Sequence, residues 1–312
     1  MTGTRVVVTG GTGFIGAHVA KELLARDGVT VRFAGRRAAH AGAPGVEWVR
    51  AELTDPGSLH GICEDADVLV HLASKVSGSE ESCRAVNEAG TAALMAEAVR
   101  AGTPRVVHLS TTAVYGRGPH TGQDIADLTP APLSAASATR LAGEQHALRA
   151  GAVVLRAGLV LGTGDRWVVT ALAELLKRVP GRWAGGAASL SVVDASDLGR
   201  LITAVALAPA PPGPAVFHAA HPRPVRIGDL VAALAEHGIV PPPADEDRSW
   251  DRCLQELADR PGIVSERQFH LLAQDHWYRS DEVWQRTGVE PGPGPLDRLA
   301  ASTDWYRTLP LT

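Results

Sequence analysis

The chain has 312 residues, a net charge of −4, 45% hydrophobic residues and 21% charged ones. That length holds more than one minimal domain and fewer than three, and the composition is that of a globule with a large core. With no acidic or basic tail, nothing points to nucleic acid or an anionic membrane as partner. No apolar run approaches the roughly 18 residues of a membrane span, and residues 6–8 follow the start with no cleavable signal pattern. Cys63, Cys83 and Cys253 are odd in number and lack C-x-x-C spacing, so neither a disulfide framework nor a metal site is expected. A cytoplasmic location fits such cysteines. Only Lys21, Lys75 and Lys177 are lysines among 30 basic residues.

In chain order, short apolar runs at 5–9, 29–33, 46–49, 68–72, 105–110 and 153–156 read as strands. They are β-branched and lack strict alternation, as in strands covered on both faces. Amphipathic helical stretches at 14–26, 87–100 and 138–149 lie between them. This alternation predicts βαβ units and a doubly wound α/β parallel sheet. The second half is less regular. Helices are expected at 167–178, 227–236, 250–258 and 281–285, strands at 190–193 and 215–218, and loops at 209–214 and 241–247. Residues 1–160, with late strands from about 190–220, form the expected dinucleotide domain. Residues 161–189 and 221–312 form a smaller, mainly helical substrate lobe.

The first strand is followed by Thr9-Gly10-Gly11-Thr12-Gly13-Phe14-Ile15-Gly16, which opens a helix. In that context Gly10 permits a tight turn, Gly13 lets backbone approach a pyrophosphate, and Gly16 allows close helix–strand packing. The helix N-terminus, with Phe14 and Ile15, offers free amides to phosphate. The second strand ends Phe33-Ala34-Gly35-Arg36-Arg37, where an NAD site usually carries an acid. A guanidinium suits a 2′-phosphate, so NADP is expected, with Arg36 or Arg37 as contact and Thr12 as helper.

Further segments extend this pattern: Glu52-Leu53, His71-Leu72-Ala73-Ser74, Val86-Asn87 with Gly90-Thr91, Ser110-Thr111-Thr112-Ala113-Val114-Tyr115-Gly116, and Arg156 to Gly162. As a set, over about residues 4–230, they resemble the extended short-chain dehydrogenase/reductase family, which includes nucleotide-sugar epimerases, dehydratases and ketoreductases. The resemblance implies Glu52 and Leu53 beside adenine, Leu72, Ala73 and Ser74 under the cofactor, and Leu159 near the nicotinamide. It also places Thr111 at the catalytic Ser/Thr position.

The chain departs from the family at its P-x-S-x-Y-x-x-x-K-x-x-x-E helix. With Pro132, Ser134 and Glu144 in register, Ala136 stands at the tyrosine and Arg140 at the lysine. Acid catalysis of the kind the tyrosine provides is worth about 10²–10⁴-fold. Arginine can still bind ribose hydroxyls, but its pKa above about 12 rules out proton exchange. Four proton sources stay open: Thr111, Ser137, Lys75, or an acidic hydroxyl of the substrate itself.

The family's nucleotide-sugar enzymes usually place an arginine where this chain has Leu190, which removes a diphosphate clamp. Six of seven tryptophans follow residue 160; they wall a flat apolar ligand or simply fill the core. The glycine-rich stretch 181–186 is a candidate lid. The implied activity is NADPH-dependent reduction of a polycyclic aromatic ketone in a secondary-metabolite pathway, by a monomer or homodimer with no metal. A nucleotide-sugar enzyme and a non-catalytic NADP-binding regulator are the alternatives.

Overall fold

The computed structural model describes residues 3–36, 45–209 and 213–311. Seven strands form the main sheet: β1 (Thr4–Thr9), β2 (Val29–Gly35), β3 (Val46–Arg50), β4 (Val68–His71), β5 (Arg105–Thr111), β6 (Val153–Ala157) and β7 (Ala215–Ala219). Their order is β7-β6-β5-β4-β1-β2-β3, and every pair is parallel. The helices in chain order are α1 (Phe14–Leu24), α2 (Glu80–Arg84), α3 (Thr91–Arg100), α4 (Ala135–Arg149), α5 (Val168–Arg178) and α6 (Ala195–Leu207), followed by α7 (Ile227–Glu236), α8 (Trp250–Asp259), α9 (Glu266–Ala273), α10 (Asp281–Thr287) and α11 (Leu299–Arg307).

The strand residues alternate between two helical layers. Val6, Val8, Val68 and Val70 pack with Val19 and Leu23 of α1 and with Leu198, Leu201 and Ile202 of α6. Val7, Leu69, Val106 and Val154 pack instead with Leu94, Met95 and Ala98 of α3 and with Ala147 of α4. Both faces are apolar, which is why the strand sequences show no polar alternation.

The expected helix at 87–100 starts earlier. Ser79 caps α2, and a π-helical turn at Ala85–Gly90 joins α2 to α3. Such turns often mark functional positions, and this one carries Asn87. The expected strand at 190–193 is two strands. The Ser191 amide donates to His276 O (2.9 Å), while its carbonyl accepts from Leu159 N (2.8 Å). Ser189–Leu190 therefore joins a second sheet, ordered Val225–Arg226, Ser189–Leu190, His276–Tyr278 and His120–Gln123, and Val192–Asp194 pairs with Leu159–Leu161. Of the late segments only β7 enters the main sheet. The second sheet joins residues from both halves of the chain.

The lobe's core is built by α5, α7, α8, α9 and α11. Trp183 and Trp250 sandwich Phe269 at centroid distances of 5.1 and 5.3 Å. The Trp284 and Trp305 indoles donate to Ala220 O and Asp165 O, each at 2.8 Å. These four tryptophans fill and pin the interior rather than wall a cleft. The glycine-rich stretch is anchored too: Arg182–Trp183 pairs with Asp247–Arg248. Among the described residues, no helix is long and apolar enough to cross a membrane, and no cluster of three or more His, Cys, Asp or Glu could hold a metal ion.

Candidate active site

The parallel strands bring their carboxyl ends to one rim, and the chain reverses its direction of winding between β1 and β4. That crevice is where open α/β sheets bind ligands. Gly10 there has φ 75°, and a Cβ on it would lie 2.7 Å from Ala73 N, hard against the end of β4. A Cβ on Gly16 would lie 2.0 Å from Gly10 O, so only glycine lets α1 start this close to β1. Gly13 caps α1 without a side-chain hydrogen bond, leaving the first-turn amides of Phe14, Ile15 and Gly16 open at the helix's positive end. Thr12 and Ser74 are exposed beside the crevice, and Leu72 and Ala73 are half-buried.

At the end of β2, Phe33 fills the space against Gly11 and stacks on Trp48 at 4.6 Å. Arg36 follows, exposed, with no hydrogen-bond or carboxylate partner among the described residues. Arg37 lies outside the described residues. Ser58 ties the Glu52 backbone (2.8 Å), and Leu53 sits under Gly90, where a Cβ would come within 2.7 Å of its own Cβ. Leu159 is half-buried, its amide on Ser191 O.

Four side chains stand near the carboxyl ends of β4 and β5. Thr111 ends β5, and its Oγ1 accepts the Ala113 N–H at 3.2 Å, which leaves the hydroxyl proton free. Arg140 comes from α4, donates from Nη2 to Leu109 O at 3.3 Å, and leaves Nε unpartnered. Burial lowers its pKa to about 10, opposed by the charge of Glu144, so it stays cationic at neutral pH. The Lys75 backbone is clamped by Asn87, which accepts its N–H (2.7 Å), donates to its carbonyl (2.8 Å) and donates to Thr139 Oγ1 (3.0 Å). The Lys75 side chain folds over Gly78. Ser137 is drawn elsewhere. It forms a capping box with Ser134, each side chain bound to the other's backbone amide (3.1 and 3.2 Å), and both hydroxyl directions are used in the cap.

A buried network behind this rim joins Ser110, Tyr115, Glu144 and Arg156 of the motif segments to His218, which belongs to none. Glu144, fully buried, accepts from Arg156 Nε and from Nη2 at 2.6 Å, and also from the Ser110 hydroxyl. Arg156 donates to Tyr115 OH (2.8 Å) and lies over its ring, 4.9 Å from the centroid. His218 Nδ1 donates to Arg279 O (3.0 Å), so its Nε2 accepts from Tyr115 OH (2.7 Å). Tyr115 is thus spent inside the protein. Another buried pair sits beneath β4 and β5. His71 bridges Thr9 Oγ1 (2.7 Å) and Thr91 Oγ1 (3.0 Å), with the His108 ring 5.0 Å away. Burial, helped by the Arg140 charge, pushes His71 down to about 4.

The sequence model of the NAD dependent epimerase/dehydratase family matches residues 6–219, from β1 through β7. The chain belongs to this family. Among the family's relatives is the 2-alkyl-3-oxoalkanoate reductase of Stenotrophomonas maltophilia, 29% identical over 96% of this chain and 99% of that protein. Another is the 4-hydroxy-2-methyl-3-oxo-4-farnesyl-3,4-dihydroquinoline-1-oxide ketoreductase of Stigmatella aurantiaca, 29% identical over 58% of each chain. The UDP-glucuronic acid 4-epimerase of Bacillus cereus, solved with NAD, shares the fold at TM-score 0.75 and 20% identity, covering 98% of this chain and 99% of that one. At the position where the family's nucleotide-sugar members place an arginine, this chain buries Leu190 completely in its lobe core.

Proposed function

We propose that this protein is an NADP-dependent ketone reductase acting on a polycyclic aromatic ketone in secondary-metabolite synthesis. The observation that carries the cofactor choice is the end of β2, where an exposed Arg36, without a partner among the described residues, stands in place of an acid. The kinship with a reductase of 3-oxoalkanoates over nearly the whole chain supports carbonyl reduction. The quinoline-oxide ketoreductase supports an aromatic bicyclic substrate. The loss of the family tyrosine resembles the angucyclinone ketoreductase of simocyclinone biosynthesis.

A reduced nicotinamide bound in the crevice supplies the hydride. The glycine turn and the open amides of α1 hold the pyrophosphate, and Arg140 holds ribose hydroxyls. The free Thr111 proton polarises the carbonyl. Lys75 or an acidic hydroxyl on the substrate completes the proton supply. Ser137 takes no part, being committed to the cap. The second reading, a nucleotide-sugar epimerase or dehydratase, is favoured by the fold likeness and opposed by Leu190.

The test follows loss of NADPH absorbance with hydroxy-substituted polycyclic ketones. Turnover is expected with NADPH, and Arg36→Ala should raise the KM for NADPH at least about tenfold while leaving that for NADH nearly unchanged. Equal losses for both cofactors would remove the 2′-phosphate role. Stabilisation by a nucleoside diphosphate beyond the cofactor's own effect, with no ketone turned over, would replace this reading with the nucleotide-sugar one.

A further inference from the structure

The segment 162–165 follows the strand Leu159–Leu161 and precedes α5. On one side it lies along the first turns of α1. Gly164 has φ 106°, and a Cβ on it would come within 2.7 Å of the Phe14 ring. The Thr163 carbonyl accepts from His18 Nε2 at 2.9 Å, one turn further down the same helix. The Phe14 and His18 rings meet edge to face, 6.1 Å between centroids. Phe14 carries the first of the open amides of α1, so whatever fixes this segment also bears on the positive end of that helix.

On its other side the segment is held by α11. The Gly162 N–H donates to Tyr306 OH at 2.8 Å, and that hydroxyl donates to Asp165 Oδ2 at 3.3 Å. The Trp305 indole donates to the Asp165 carbonyl at 2.8 Å. Asp165 Oδ1 in turn accepts the amides of Trp167 (2.8 Å) and Val168 (2.9 Å) at the start of α5. Tyr306 is 0% exposed and Asp165 2%, so solvent does not replace a partner lost here. Burial and the Asp165 charge push the Tyr306 phenol above its usual pKa, so its hydroxyl is a fixed bridge and not an acid. Anchoring α11 does not need this bridge: Arg298 ties the start of the helix to Asp197 of α6 at 2.8 Å, and the Tyr306 ring packs in the lobe core. Yet the polar tips of Tyr306 and Trp305 both end on the one segment that abuts Phe14.

We propose that Tyr306 is a positioning residue for the dinucleotide: through Gly162 and Asp165 it fixes segment 162–165, and that segment sets the first turn of α1 against the cofactor's pyrophosphate. Trp305 assists from the same helix. Tyr306, fully buried, acts only through the segment. The inference rests on the reading of the crevice at β1 and α1 as a dinucleotide site and adds to it a control from the lobe. NADPH and NADH share the pyrophosphate, so this latch acts on both alike, whereas Arg36 tells them apart.

The experiment titrates NADPH and NADH separately, by fluorescence, into wild type, Tyr306→Phe, Trp305→Phe and Phe269→Leu, with unfolding midpoints measured for all four. Tyr306→Phe keeps the ring and deletes only the bridge. Its Kd should rise roughly tenfold for both cofactors, with their ratio as in wild type, and Trp305→Phe should shift both in the same direction. Phe269→Leu loosens the lobe core between Trp183 and Trp250 and leaves the latch hydrogen bonds in place. It should lower the midpoint and leave both Kd values unchanged, which separates positioning from a general loss of stability. Unchanged Kd values in Tyr306→Phe, a loss confined to one cofactor, or an equal loss in Phe269→Leu overturns the proposal. Trp305 is half-buried, so its variant decides the matter if Tyr306→Phe does not fold, and unchanged Kd values there overturn the proposal equally. If wild type binds neither dinucleotide, the crevice reading falls and the latch with it. If wild type binds both and the latch variants match it, the latch alone falls.

Discussion

Replacing Glu144 by alanine tests whether the buried network is what holds the end of β5 in place. The Glu144 side chain is 0% exposed and that of Arg156 is 6% exposed. The guanidinium reaches the carboxylate from Nε, 3.2 Å from each oxygen, and from Nη2 at 2.6 Å, while Ser110 donates to the same group. In Glu144→Ala the partners left to that charge among the described residues are the Tyr115 hydroxyl and ring face. Removing one partner of such a pair costs about 3–5 kcal/mol, because a charge is left buried without compensation. Against a domain stability of about 5–15 kcal/mol, this is from about a fifth to all of the total. Urea unfolding followed by fluorescence should show a large drop in midpoint at unchanged slope. The double variant Glu144→Leu with Arg156→Met removes the stranded charge and should recover much of the loss. A loss below about 1 kcal/mol for Glu144→Ala, or a double variant worse than the sum of the singles, would refute this account of the network.

Three further outcomes follow from the geometry. Gly16→Ala sets a methyl 2.0 Å from Gly10 O, so α1 must shift off β1; NADPH fluorescence titration should show at least a tenfold weaker Kd, and normal affinity would contradict the close-packing role. Ser137→Ala should cost about 1 kcal/mol through the α4 cap with turnover intact, whereas Thr111→Val should lower kcat by about tenfold or more with little change in stability; the reverse pattern would exchange their roles. Burial holds both His71 and His218 at about 4, below their ordinary value near 6.5. The folded state therefore binds fewer protons than the unfolded one across this interval, so stability is full above about pH 6.5 and falls as pH drops towards 4. The expected slope is up to about 1.4 kcal/mol per pH unit for each histidine, read from denaturation midpoints. A flat profile in that window would mean the rings are hydrated.

The sheet was legible because its signals are local. Val6 to Val8 and Val68 to Val70 are apolar on consecutive residues, and Gly10, Gly13 and Gly16 fall where strand must turn tightly into helix. The break at Ser191 was not legible, because it depends on two partners, Leu159 and His276, that lie 32 and 85 residues away and pull its carbonyl and amide to different sheets. The expectation for Ser137 came from its nearness to the absent tyrosine, and the Ser134–Ser137 spacing of a capping box, present in the sequence, was the contrary sign. Composition left the tryptophans open between ligand wall and core, since indoles serve either; the hydrogen bonds and ring contacts of Trp183, Trp250, Trp284 and Trp305 place these four in the interior.

The central claim, reduction of an aromatic ketone by NADPH, is tested most directly by isotope transfer. The protein is incubated with a hydroxy-substituted polycyclic ketone and NADPH carrying deuterium at its transferable position, and the alcohol is analysed by mass spectrometry and NMR. The account predicts one deuterium on the former carbonyl carbon in wild type and loss of that product in the Arg140→Ala variant, whose folding is checked by its unfolding midpoint. Absence of deuterated alcohol from wild type across the ketone panel, with NADPH bound, would contradict it.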